Sequence, residues 1–145
     1  MRSLFIVAVH LFFLHDEKQI LLLRRMNTGY EDGKYSVVAG HVDAGETVIQ
    51  AAIREAHEEA GVALKPEDMQ VVHVMHRRSD DERIDFFVAV RSWVGEISNG
   101  EPHKCDHLAW FELDALPDSL IPYVGSALDH FRRGCLYSEF GWDHG

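Results

Sequence analysis

Apolar, β-branched and aromatic residues recur along this chain in runs that short polar stretches interrupt. The first run stops at the charged turn His15–Lys18 and then resumes, which is typical of a β-hairpin. A second hairpin is predicted around the charged turn 78–82, and a polar loop with two glycines occupies residues 26–34. The strands that this pattern predicts are residues 5–13, 19–24, 35–38, 69–76, 84–94 and 107–111.

Two further segments show the spacing of amphipathic helices. The first runs from Glu46 to Ala60, and Gly61 follows it as a residue suited to end a helix. The second runs from Pro122, at a first-turn position, to Arg133. Strands outnumber helices and do not alternate regularly with them. The sequence therefore predicts an α+β fold, with helices packed on a mixed or antiparallel sheet, over a doubly wound parallel one.

Length and charge narrow the classes of function. The 145 residues suit one domain over residues 1–145, and 24 Asp and Glu against 14 Lys and Arg give a formal charge of -10. Such a surface repels phosphate backbones, so a nucleic-acid polymer is not expected as a partner. The apolar runs are too short to span a membrane. Two cysteines without metal-site or disulfide spacing are typical of a cytoplasmic protein.

Three carboxylates share one face of the first predicted helix. Glu55, Glu58 and Glu59 stand at positions i, i+3 and i+4, within about one turn of each other. Like charges at this spacing destabilise a helix, whereas a hard divalent cation such as Mg²⁺ or Mn²⁺ takes oxygen ligands and offsets the repulsion. A solvated acidic surface is the alternative that this short pattern alone leaves open.

The residues around these carboxylates decide between the two interpretations. The segment GHVDAGETVIQAAIREAHEEAGV, from Gly40 to Val62, resembles the Nudix box, the signature of the Nudix hydrolases. This resemblance implies a Nudix fold, an α/β/α sandwich around a mixed sheet in which the box forms a loop-helix-loop. It also implies hydrolysis of a nucleoside diphosphate linked to another group X, assisted by Mg²⁺ or Mn²⁺.

The resemblance also implies roles for individual residues of the box. The metal ions would be held by Glu55, Glu58 and Glu59, and the Gly40 carbonyl could add a ligand. Arg54 would orient the carboxylates, and Glu58 is expected to be a metal ligand near the attacking nucleophile and so a catalytic residue.

A general base can come from outside the box. The stretch EPHKCD resembles EPxKC(E/D) of MutT-like enzymes, and this similarity favours Asp106 over Glu101 as the base. The alternative for Asp106 is a turn residue that caps a loop.

Two residues before the box are candidates for binding substrate. Arg24 and its neighbour Arg25 end a predicted strand, and one of them could hold a phosphate, although a solvated strand end fits equally well. Tyr35 stands where Trp is frequent in relatives, so it could stack on a nucleobase, although a core aromatic fits equally well. Many MutT-like members have Pro-Gly-Gly before the box, whereas this chain has Val38-Ala39-Gly40.

The region downstream of the box narrows the substrate. The proline typical of ADP-ribose enzymes, the tyrosine of dinucleoside-polyphosphate enzymes and the SQPWPFPxS run of NADH hydrolases are absent there. By elimination, the resemblance predicts a MutT-like enzyme that converts an NTP or dNTP, modified or not, to the monophosphate and pyrophosphate. Hydrolysis of a nucleotide sugar and a non-catalytic, nucleotide-binding role remain open as alternative functions. A homodimer remains open as the oligomeric state.

Overall fold

The computed structural model describes residues 1–143 and shows eight strands, two α-helices and one short 3₁₀ turn within them. The strands are β1 (Ile6–His15), β2 (Gln19–Arg25), β3 (Tyr35–Ser36), β4 (Val38–His41), β5 (Met69–Arg78), β6 (Glu82–Val90), β7 (Cys105–Glu112) and β8 (Tyr137–Phe140). The helices are α1 (Val48–Ala60) and α2 (Pro122–Arg132), and the 3₁₀ turn is Pro66–Asp68. None of the helices within residues 1–143 is long and apolar enough to cross a membrane.

Strand β1 lies at the centre of a mixed sheet. It pairs with β6 in parallel, with β4 in antiparallel fashion near its start, and with β2 at the hairpin turn. Strand β5 lies between β6, with which it pairs antiparallel, and β8, with which it pairs in parallel. Strand β2 pairs antiparallel with both β3 and β7. Both predicted hairpins and the α+β class are therefore confirmed.

The two helices cover opposite faces of this sheet because side chains alternate along each strand. In β1, Val9 and Leu11 pack in the core beneath α1, whereas Phe12 and Leu14 pack in the core beneath α2. This arrangement is the predicted α/β/α sandwich.

Helix α1 begins two residues later than Glu46, where the sequence pattern starts it. Thr47 is extended, and its side chain and that of Gln50 form a reciprocal capping box. Gly61 ends the helix as predicted, in the left-handed conformation at φ 71°. The buried side of α1 is lined by small residues that let the helix lie close to the sheet: Ala51, Ala52, Ala56 and Ala60.

Three strand predictions differ from the structure. The strand predicted at residues 35–38 is split at Val37, because the chain leaves β2 there and joins β1. Strand β6 ends at Val90, and Val94 instead forms an isolated bridge with Ala63. Strand β8 was not predicted, since four residues give too short an alternation to be recognised.

A charged network lies buried between the sheet and α2. Asp85 on β6 accepts hydrogen bonds from Arg77 at 2.6 Å and pairs with His10 Nε2 at 3.0 Å. Arg77 also lies over the ring of Tyr123, 3.8 Å from its centroid. All four side chains are buried, so the network is part of the core on the side of the sheet away from the Nudix box.

Candidate active site

Arg54 is the centre of the polar contacts on the outer face of α1. Its guanidinium donates to Glu46 at 2.8 and 2.9 Å, to Glu55 at 2.6 Å and to the His41 carbonyl at 3.0 Å. Its contact with Glu58 is longer, at 3.5 Å. The hydrogen bond from Arg54 is the main cause that lowers the pKa of Glu46 to about 2. Arg54 therefore ties the loop before α1 to the carboxylates of the helix.

Glu59 is in an unfavourable position for a charged carboxylate. Burial, a hydrogen bond with Glu55 and the charges of Glu55 and Glu101 raise the pKa of Glu59 well above its usual range. Within residues 1–143, the buried Oε2 atom of Glu59 has no hydrogen-bond partner. A bound cation would offset the cost of the charge on Glu59 at this position.

Because Gly40 has no side chain, the carboxylate of Glu55 can occupy the space beside it. A Cβ atom at this position would lie 2.1 Å from Oε1 of Glu55, so any other residue would displace the carboxylate. Strand β4 places Gly40 opposite Val9 of β1 and beneath α1. The close approach of strand and helix therefore depends on glycine at the first position of the box.

A cavity of about 600 Å³ brings the box residues together with residues from three other segments. Gly40, Glu55, Glu58 and Glu59 all line it, as their predicted roles require. The other lining residues lie outside the set predicted from the sequence: Leu23, Asn27, Thr28, Ala39, His41, Asn99, Lys104, Cys105 and Leu108. Arg25 and Glu101, the alternatives to Arg24 and Asp106, line the cavity as well.

Asp106 does not lie with the carboxylates of α1. The pairing of β2 with β7 shifts between Arg24 and Arg25, so that Cys105 is opposite Arg25, and Asp106 is the extra residue of the bulge. The side chain of Asp106 accepts a hydrogen bond from Arg24 at 2.7 Å, and this bond lowers its pKa. Asp106 is not among the cavity residues, whereas Glu101 is.

Arg24 and Tyr35 also lie outside the cavity lining. Tyr35 is buried in the core beneath α2, where its hydroxyl contacts Nδ1 of His107 at 2.5 Å, so it occupies the position of a core aromatic. Arg24 is 6.0 Å from the Tyr35 ring. Arg25 points to the other face of β2, into the cavity, and donates to the Tyr30 carbonyl. The alternation of Leu21, Leu23 and Arg25 could have identified it from the sequence.

The donor set fits a hard divalent cation. Three carboxylates, one of them with an orphaned buried oxygen, offer the oxygen ligands that Mg²⁺ and Mn²⁺ prefer. As the side chains of residues 1–143 stand, no three acidic, histidine or cysteine groups are arranged to hold a metal ion. Arg54 instead pairs with Glu55 at 2.6 Å and with the exposed Glu58 at 3.5 Å.

Comparison with known proteins gives a consistent result. Residues 4–131 match the NUDIX domain. The chain is 27% identical over 120 residues to an ADP-ribose pyrophosphatase of Methanocaldococcus jannaschii, covering 82% of this chain and 69% of the relative. It is 26% identical over 113 residues to the 8-oxo-dGTP diphosphatase of Escherichia coli, covering 76% of this chain and 86% of the relative.

Other curated relatives are longer proteins, and the chain spans 18% to 42% of their length. Among solved structures, the fold is similar to that of a MutT NUDIX hydrolase from Burkholderia pseudomallei, with a TM-score of 0.79 and 28% identity. That similarity covers 88% of this chain and 98% of the other.

Proposed function

This chain belongs to the Nudix family, and on that premise we propose that it is a MutT-like enzyme that converts a nucleoside or deoxynucleoside triphosphate to the monophosphate and pyrophosphate. Family membership makes it a hydrolase of phosphorus-containing acid anhydrides. The relative in Escherichia coli is by name an 8-oxo-dGTP diphosphatase, which supports a triphosphate substrate and brings oxidised dGTP into the set to be tested.

The observation that carries the proposal is the mixture of charges in one cavity. Glu55, Glu58 and Glu59 line it together with Arg25 and Lys104. Carboxylates hold the divalent cation that a polyphosphate requires, while guanidinium and ammonium groups bind its oxygens directly. A volume of about 600 Å³ is within the range of small-molecule sites. An acidic protein thereby acquires a site for a polyanion.

The acidic and basic residues of the cavity, and Arg54 beside it, then each have a definite task. Mg²⁺ or Mn²⁺ held by the three glutamates would neutralise the phosphates and lower the pKa of a bound water. Arg25 and Lys104 bind oxygens of the departing pyrophosphate, and Arg54 keeps Glu55 in place. Glu101 accepts the proton of the attacking water when the bridge between the α and β phosphorus atoms breaks.

The substrate proposal is tested by a turnover panel. Purified protein with Mg²⁺ is assayed against NTPs, dNTPs, 8-oxo-dGTP, ADP-ribose, NADH and dinucleoside polyphosphates, and products are separated by anion-exchange chromatography. We expect the highest kcat/KM for a triphosphate, with monophosphate and pyrophosphate released in equal amounts. A preference for ADP-ribose or a dinucleotide would overturn the triphosphate assignment, and cleavage to diphosphate and phosphate would overturn the proposed bond.

Glu101 and Asp106, the two candidates for the general base, are expected to respond differently to substitution. Replacing Glu101 by Gln should lower kcat about 10²-fold, because a positioned base contributes roughly that factor or more. Replacing Asp106 by Asn, which loses only the ion pair with Arg24, should leave kcat within about twofold. Steady-state kinetics at saturating Mg²⁺ measures both, and the reverse order of effects would restore Asp106 as the base.

A further inference from the structure

The segment that carries Glu101 is attached to the end of the helix that carries the other carboxylates. We call residues 98–105 the Glu101 loop. Backbone amides of Ser98 and Gly100 donate to the carbonyls of Ala60 and Glu59 at 2.9 and 3.0 Å. These carbonyls belong to the last turn of α1, where no partner exists within the helix. The Glu101 loop therefore caps the C-terminal end of α1 and is held against it.

Gly100 fits this contact because it has no side chain. A Cβ atom there would lie 2.1 Å from the backbone oxygen of Glu58 and 3.0 Å from its carbonyl carbon. The backbone of Glu58 cannot move aside as a flexible side chain would. A side chain at position 100 would therefore push the Glu101 loop away from α1. The backbone next to Glu101 is therefore held directly against the turn of α1 that carries Glu58 and Glu59.

The side chain of Asn99 closes the same loop from within. Its Nδ2 donates to the carbonyl of Cys105 at 2.7 Å, and its Oδ1 accepts from the amide of Glu101 at 3.0 Å. The amides of Lys104 and Cys105 in turn donate to the Glu101 carbonyl. The side chain of Asn99 thus links the backbone at Glu101 to the backbone at Cys105, the two ends of the turn.

We propose that Asn99 is a positioning residue, whose amide holds the backbone of Glu101 at the cavity through the bonds to Glu101 and Cys105. This inference rests on the proposed function in one respect, since it takes Glu101 as the acceptor of a proton. Asn99 lines the cavity, but both ends of its amide are already bonded to the protein. It acts on the reaction through Glu101 and not by binding the substrate.

A double-mutant cycle tests the inference. Asn99→Ala should lower kcat about tenfold in the wild-type background, with KM changed less than about twofold, and should have less than about a twofold effect in the Glu101→Gln background. The matched control is His103→Ala, an exposed residue of the same loop, which should leave kcat unchanged. Equal losses of kcat in both backgrounds would overturn the inference.

Amide hydrogen exchange supplies a readout that does not depend on turnover. Asn99→Ala removes the acceptor of the Glu101 amide, so exchange at that amide should become at least about tenfold faster. Asn99→Asp keeps an acceptor at this position, so the Glu101 amide should stay protected. Unchanged exchange at Glu101 in Asn99→Ala would overturn the inference. If the wild-type protein hydrolyses no nucleotide, the proposed function fails, and the exchange data decide the role of Asn99.

Discussion

Replacing Glu58 by Gln should lower kcat for triphosphate hydrolysis about 10³-fold while leaving the fold intact. Glu58 lines the cavity with half of its side chain exposed, and its one described ion pair is the 3.5 Å contact with Arg54. Gln has the same shape without the charge, so the variant loses a ligand for the cation but little stability. In the proposed function this interaction acts on the phosphates and the attacking water, so kcat should fall more than KM rises.

Steady-state kinetics with Mg²⁺ measures the loss of kcat in Glu58→Gln. Titration of Mn²⁺ by electron paramagnetic resonance measures the loss of cation affinity separately. Glu67→Gln is the matched control, because Glu67 is an exposed acid of the 3₁₀ turn, outside the cavity lining. The control should keep wild-type kcat and wild-type Mn²⁺ affinity. A Glu58→Gln variant with wild-type kcat would show that Glu58 is not part of the catalytic machinery.

The part of the site that sequence could predict is the part that lies within one helix. The spacing of Glu55, Glu58 and Glu59 places them on one face wherever a helix forms, and Gly61 marks the end of that helix. Gly40 is close in sequence and belongs to the same signature. These residues all line the cavity because their relation is local.

The prediction of partners from outside the box depended on strand register, which sequence alone does not determine. Arg24 and Asp106 are 82 residues apart and meet on one face of the sheet because β7 carries a bulge there. A one-residue shift exchanges the two faces of a strand, so it exchanges Arg24 for Arg25 at the cavity. Because of the same shift, Asp106 pairs with Arg24 and Cys105 lines the cavity.

The missed strand β8 shows the same limit for the fold. Its four residues alternate between exposed Tyr137 and buried Ser138, which is too little to separate a strand from a loop. Its stability comes from pairing with β5, and Ser138 meets the buried His73 at 2.7 Å across that pair. Both contacts join residues more than sixty positions apart, and no local pattern reports them.

Replacing Asp85 by Asn should destabilise the fold by about 3–5 kcal/mol, because it leaves Arg77 as a buried charge without its counter-ion. Burial opposes the charge of Asp85, but hydrogen bonds and charges of His10 and Arg77 outweigh it and lower its pKa to about 2. Urea unfolding at pH 7 measures the loss. Asp129→Asn, which breaks an exposed pair with Arg133, is the matched control and should cost less than about 1 kcal/mol.

The pH dependence of the same variant distinguishes charge from packing. A carboxyl whose folded pKa is depressed stabilises the fold above its unfolded pKa, which is about 4. That contribution is lost as the pH falls from there through about 2, the folded pKa of Asp85. The difference in unfolding free energy between wild type and Asp85→Asn should therefore shrink over this range. Adding Arg77→Met should recover part of the stability at pH 7, since it removes the uncompensated charge. A difference that is constant with pH would show that Asp85 acts through its shape and hydrogen bonds and not through its charge.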